Sequence, residues 1–163
     1  MQCLRPRTTA LLVGIVVGVI GCGGCGSSDP KPVLKAAVLR VNSSNSKRLA
    51  TLYNRYHSRF FSGPRDEATF KKFIAGSPVA ELEEIGASGG DIDALFVSER
   101  DKQPFYIRYG LKLTDSASRA LVLETEGLNG RAMVLFSGRG GIREAAVPKA
   151  ELEDYRTGKK DEE

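Results

Sequence analysis

Residues 120–147 read ALVLETEGLNGRAMVLFSGRGGIREAAV, and the fold class turns on them. Two apolar runs, 120–125 and 132–137, flank Gly127-Leu128-Asn129-Gly130. Asn and Gly both tolerate positive φ, so Asn129-Gly130 signals a tight reversal between two strands. The glycine-rich step Gly138-Arg139-Gly140-Gly141 leads into a weaker strand candidate at 142–147. Upstream, 94–98 and 105–111 carry the Val, Ile, Phe and Tyr content of strands, joined by turn-like residues at 100–104 and 114–118. Parallel neighbours need a crossover of a dozen or more residues, and these connections are shorter. The expectation is an antiparallel meander of four to five strands.

The period is different before residue 91. Leu49, Leu52, Tyr53, Tyr56 and Phe60 recur at helical spacing, with Lys47, Arg48, Arg55 and Arg59 largely off that face. This predicts an amphipathic helix over 46–61, with N-cap candidates among residues 42–46 and a stop at Ser62-Gly63-Pro64. A second helix is predicted over 66–75, with Asp66 as its cap, Gly76 as its end, and Phe70, Phe73 and Ile74 as its docking face. Residues 33–41 show helical spacing at 33, 34, 37, 38 and 41. Pro148 is placed to open a short final helix over 149–155. Helices first and strands after give the α+β class, with amphipathic helices packed on a small sheet.

The first 28 residues, MQCLRPRTTALLVGIVVGVIGCGGCGSS, have the parts of an export signal: Arg5 and Arg7, an apolar run over 10–20, then small residues. That run is well short of the ~20 residues that cross a bilayer. Val19-Ile20-Gly21-Cys22 resembles the lipobox of bacterial lipoproteins. The resemblance implies a diacylglycerol thioether on Cys22, cleavage before it and acylation of the new amino terminus. Each buried acyl methylene contributes roughly 0.8 kcal/mol, so several chains hold where one does not. Cys25 lacks an aliphatic residue in the preceding positions, and Cys3 lies in the signal.

The chain then divides into a signal over 1–21, a lipid-anchored Gly/Ser/Pro tether over 22–32, one domain over 33–155 and a charged, disordered tail over 156–163. Losing Arg5 and Arg7 takes the net charge from +4 to +2. So small an excess gives no footing for a nucleic-acid partner. The expected location is the bacterial cell envelope, facing periplasm or exterior. The expected partners are a membrane, through the anchor, and an envelope protein or polymer.

Catalytic chemistry finds little purchase. His57 is the one histidine, and no Gly-x-Ser-x-Gly elbow accompanies it. Gly86-Ala87-Ser88-Gly89-Gly90-Asp91 lacks the helix and Lys-Ser/Thr of a phosphate loop. Asp91 and Asp93 lack the graded ligands of a calcium loop, and Cys22-x-x-Cys25 is a single thiol pair. The expectation is a non-catalytic binding or structural domain, with no catalytic residue, no cofactor and no metal. The alternative is an exported or membrane-bound enzyme whose pocket gathers Asp91, Asp93, His57 or Arg139. The basic residues at 47, 48, 55, 59, 71 and 72 are read first as a solvated surface, and second as a stripe for anionic lipid or polymer.

Asn45, Lys47, Leu49, Tyr56 and His57, in register, resemble the helix of pseudopilin-like envelope proteins, with Ser46 and Ala50 in place of the usual Leu and Gly. Residues 133–136 and 138–143 are similar in outline to that group's final strands, though Ser137-Gly138-Arg139-Gly140 lacks the Asp of their turn. The resemblance implies a helix on a small antiparallel sheet and a non-catalytic envelope role. It departs at the amino terminus, where a prepilin keeps its hydrophobic helix. A pseudopilin-like subunit retaining that segment is a further alternative.

Overall fold

The computed structural model describes residues 44–87, 90–114, 117–138 and 140–161. The signal, Cys22, the tether, the helical spacing at 33–41 and Arg139 lie outside the described residues.

Helix α1 spans Asn45–Phe60 and buries Leu49, Ala50, Leu52 and Tyr53, the i, i+1, i+3, i+4 stripe of a helix with one wet face. Ser44 is its N-cap, with its Oγ accepting from Lys47 N at 3.4 Å. Asn45 fixes the start tertiarily, since its Nδ2 donates to the carbonyls of Ala94 and Val97 at 2.9 and 3.0 Å. Helix α2, Glu67–Ala75, is capped by Asp66, which accepts from Thr69 N at 2.7 Å, and buries Phe70 and Ile74. Two short helices follow: α3, Val79–Glu84, entered through Pro78, and α4, Ile92–Leu95, capped by Asp91.

The sheet is a four-stranded antiparallel meander in the order β1 Tyr106–Ile107, β2 Arg119–Leu123, β3 Arg131–Gly138 and β4 Gly141–Pro148. Asn129 (φ 54°) and Gly130 (φ 74°) make the reversal between β2 and β3. Strand β4, the weaker candidate by composition, pairs with β3 along its full length. A 3-10 turn at Lys149–Glu151 and helix α5, Leu152–Arg156, close the described fold.

A bulge in β2 distributes the core. Ala120 faces Phe136 and Val122 faces Leu135, so Leu121 is the extra residue. Side chains alternate faces along a strand, and one inserted residue resets that alternation. Leu121 and Val122 consequently both join the core under α1, with Leu49, Tyr53, Phe70 and Leu135. Ala120 and Leu123 join the opposite core with Val134, Phe136, Val147, Leu152 and Tyr155 of α5. The helices of the first half cover one face of the sheet and α5 covers the other.

Three expectations are corrected. Residues 94–98 are not a strand: Asp91 caps a short helix over Ile92–Leu95, which takes the first half of the segment. Only the bridge between Val97 and Pro104 remains. The strand expected over 105–111 shrinks to two residues, because α1 takes over its hydrogen bonds. Tyr53 Oη donates to Arg108 O at 3.0 Å and accepts from Leu111 N at 3.1 Å, while Gly63 N donates to Leu111 O at 2.8 Å. The tail read as frayed from Arg156 onward is docked as far as Asp161. That carboxylate pairs with Arg108, with Arg119 at 2.9 Å, and accepts from Ala120 N at 3.3 Å.

Candidate functional site

A cleft of about 520 Å³ opens where the last turns of α1 meet the 113–114 segment and the end of β3. Asn54, His57, Ser58 and Phe61 line it from the α1 side, and Leu113, Thr114, Ser137 and Gly138 from the sheet side. The i, i+3, i+4 spacing puts Asn54, His57 and Ser58 on one face of α1, adjacent to the buried stripe, and Phe61 follows at the end of the helix.

Polar contacts hold the walls together. Ser137, 2% exposed, donates from Oγ to Asn54 Oδ1 at 2.8 Å. His57 Nε2 accepts from Leu113 N at 3.1 Å. A neutral imidazole accepting at Nε2 carries its proton on Nδ1. The polar side chains that line the cleft from α1 are therefore the Asn54 amide, His57 with its proton on Nδ1, and the Ser58 hydroxyl. No Asp, Glu, Lys or Arg lines it among the described residues.

Phe61 stands at the rim. It closes α1 in the left-handed conformation (φ 57°, ψ 18°), with its N–H donating to His57 O at 2.7 Å. Gly or Asn usually occupies such a position, since a bulky side chain is strained there. Its ring is 82% exposed, so no packing offsets that strain. Phe60, by contrast, joins an aromatic cluster, with ring centroids 4.6 Å from Tyr56 and 6.3 Å from Phe73.

A second groove, about 430 Å³, shares Asn54 and Ser58 with the cleft and runs between α1, α3 and β4. Its charges are internally matched. Arg59 Nη2 donates to both Glu81 carboxylate oxygens at 2.8 and 2.9 Å, and Arg55 meets Glu84 at 3.0 Å. Lys47 pairs with Glu144 at 3.1 Å, and Lys71 with Glu67 and Asp93 at 2.6 Å each. The basic stripe expected along the helices is thus largely engaged with carboxylates.

The three described residues of the enzyme alternative serve separate purposes. Asp91 Oδ1 accepts from Asp93 N at 2.9 Å to cap α4, Asp93 pairs with Lys71, and His57 braces the 113–114 segment. Arg139 and Cys22 fall outside the described residues. Among the described residues, no three His, Cys, Asp or Glu side chains gather as a metal would require. No described helix is long and apolar enough to cross a membrane. Phe61, Asn54, Ser58 and Ser137 were not singled out from the sequence. One signal was present: an aromatic residue directly before Ser62-Gly63-Pro64, where a helix terminator was due.

Buried polar groups cluster elsewhere. Glu124, 2% exposed, accepts from Ser98 Oγ at 3.0 Å, Arg100 at 3.2 Å and Met133 N at 2.8 Å. Asp101 binds Gly127 N at 2.7 Å, Gln103 N at 3.1 Å and Glu126 N at 3.2 Å. These carboxylates tie the 98–104 loop to the β2–β3 turn. Burial pushes the Tyr53 phenol up to about 12. Burial also raises Tyr109, helped by the nearby Glu67 carboxylate.

No protein-family model, curated protein or solved structure matches the chain.

Proposed function

We propose that this chain is an exported bacterial envelope lipoprotein, tethered by lipid on Cys22, whose α+β domain binds a partner and is not an enzyme. The observation that carries the anchor is Val19-Ile20-Gly21-Cys22 at the end of a charged and apolar export signal. Two features support a binding role. The His57 Nε2, which a nucleophilic triad needs as its base, is engaged by the Leu113 amide. The cleft beside it is lined by hydrogen-bonding side chains and an exposed aromatic ring, the lining of a recognition surface.

Metabolic labelling with a fatty-acid precursor, comparing wild type with Cys22→Ala, tests the anchor. Labelled, membrane-retained wild type and unlabelled, released variant are expected. Equal labelling of the two would remove Cys22 as the site. Mass spectrometry of the mature amino terminus separates this reading from the pilin-like one, in which the apolar run over 10–20 persists.

A further inference from the structure

We propose that the cleft between α1 and the end of β3 binds a neutral saccharide, with Phe61 as the platform on which a sugar ring stacks. The inference rests on the reading of the domain as a binding module and is independent of the lipid anchor.

The fold alone does not explain Phe61. Phe61 occupies a left-handed helix terminus that Gly would fill without strain, and its ring is 82% exposed. An aromatic side chain kept in a strained position and turned to solvent offers a flat apolar face. A pyranose ring has a matching face of C–H bonds, and its hydroxyls project from the edges. The cleft beside Phe61 carries groups suited to those hydroxyls: the Asn54 amide, the His57 imidazole and the Ser58 hydroxyl, which donate or accept hydrogen bonds.

Other ligand classes fit less well. Anionic groups call for Arg, Lys or a cluster of backbone N–H groups, and no cationic side chain lines the cleft among the described residues. A lipid tail calls for an apolar slot, whereas Leu113 and Phe61 are the only large apolar residues in this lining. The neighbouring groove shares Asn54 and Ser58 with the cleft. In that groove Arg55 and Arg59 are already paired with Glu84 and Glu81. Paired in this way, these side chains favour an uncharged ligand over an anionic one beside the cleft.

The test is saturation-transfer difference NMR on the full chain in detergent, with chitotetraose and maltotetraose as neutral probes and a heparin tetrasaccharide as the anionic one. Transfer to the C–H protons of at least one neutral probe is expected. Phe61→Gly should weaken that binding at least tenfold while melting cooperatively at or above the wild-type temperature, and Phe61→Tyr should keep it. No transfer to either neutral probe, equal transfer in Phe61→Gly, or preference for the heparin fragment would each overturn the inference. The same spectra report new reducing-end anomeric protons. Their appearance would overturn the non-catalytic reading while leaving saccharide recognition in place.

Discussion

Gly63 lies directly against the Tyr53 hydroxyl. A Cβ on Gly63 would overlap Tyr53 Oη and fall 2.5 Å from Cζ and 2.9 Å from Leu111 O. The close approach is needed because the same hydroxyl bridges Arg108 O and Leu111 N, replacing the strand ladder that 105–111 would otherwise form. Gly63→Ala is therefore expected to destabilise by about 1–3 kcal/mol, the usual cost of overpacking. Tyr53→Phe should cost a similar ~1–3 kcal/mol by leaving buried backbone groups unpaired. The double variant should cost less than the sum, since removing Oη relieves the worst overlap, yet the Leu111 O contact remains. Urea midpoints for the four proteins check this as a double-mutant cycle.

Alkaline stability follows from the same phenol. Burial raises the Tyr53 pKa from 10.0 to about 12. A raised value means the folded state holds its proton longer than the unfolded chain does. The contribution is fully present below pH 10.0 and is lost as pH climbs toward 12. Once ionised, Tyr53 also has no proton to donate to Arg108 O. Stability measured by urea titration should fall across this window, and Tyr53→Phe should show a shallower fall. A slope unchanged in the variant would place the effect elsewhere, with Tyr109, also raised by burial, as the next phenol to replace.

Much of this architecture was legible in residue order, for reasons that differ by element. Ser44 and Asp66 cap α1 and α2, and the spacing of Leu49, Leu52 and Tyr53 identifies the buried face, because these are local signals. Asn129-Gly130 located the β2–β3 reversal for the same reason. The failures at 94–98 and 105–111 are tertiary. Asn45, 49 residues from Ala94, helps fix the first, and Tyr53, 55 residues from Arg108, dismantles the second. The cleft is less legible still, because Asn54 and Ser137 meet across 83 residues and neither type is unusual alone. Phe61 is the exception, an aromatic where chain geometry asks for glycine.

Asp101 should report acid loosening of the loop. Burial pushes its carboxyl up, but hydrogen bonds from Gly127 N, Gln103 N, Ser98 and Glu126 N outweigh that and hold it below 3.8. A depressed carboxylate contributes stability above its unfolded pKa and loses it as pH falls through the folded value. The Gly127 amide, which donates to Asp101 Oδ2 at 2.7 Å, is the direct probe. Its NMR shift should titrate with a midpoint below 3.8, the ordinary Asp value. Asp101→Asn should abolish that titration and speed hydrogen exchange at Gly127. A Gly127 shift that titrates identically in the variant would show that another carboxylate controls the turn.

The Phe61 conformation leads to an expectation of opposite sign. Left-handed φ costs a bulky residue about 1 kcal/mol relative to glycine, although glycine loses more backbone entropy on folding. At an 82% exposed site there is almost no side-chain packing to lose. The released strain should therefore win, and Phe61→Gly is expected to raise stability by up to about 1 kcal/mol, or leave it unchanged, in urea titrations. Phe61→Ala keeps a Cβ at positive φ while giving up the ring, so it should fall below Phe61→Gly. That order separates backbone strain from packing. If Phe61→Gly were instead destabilised by ~2 kcal/mol or more, the ring would have to be buried on folding, contrary to its exposure at the rim of the cleft.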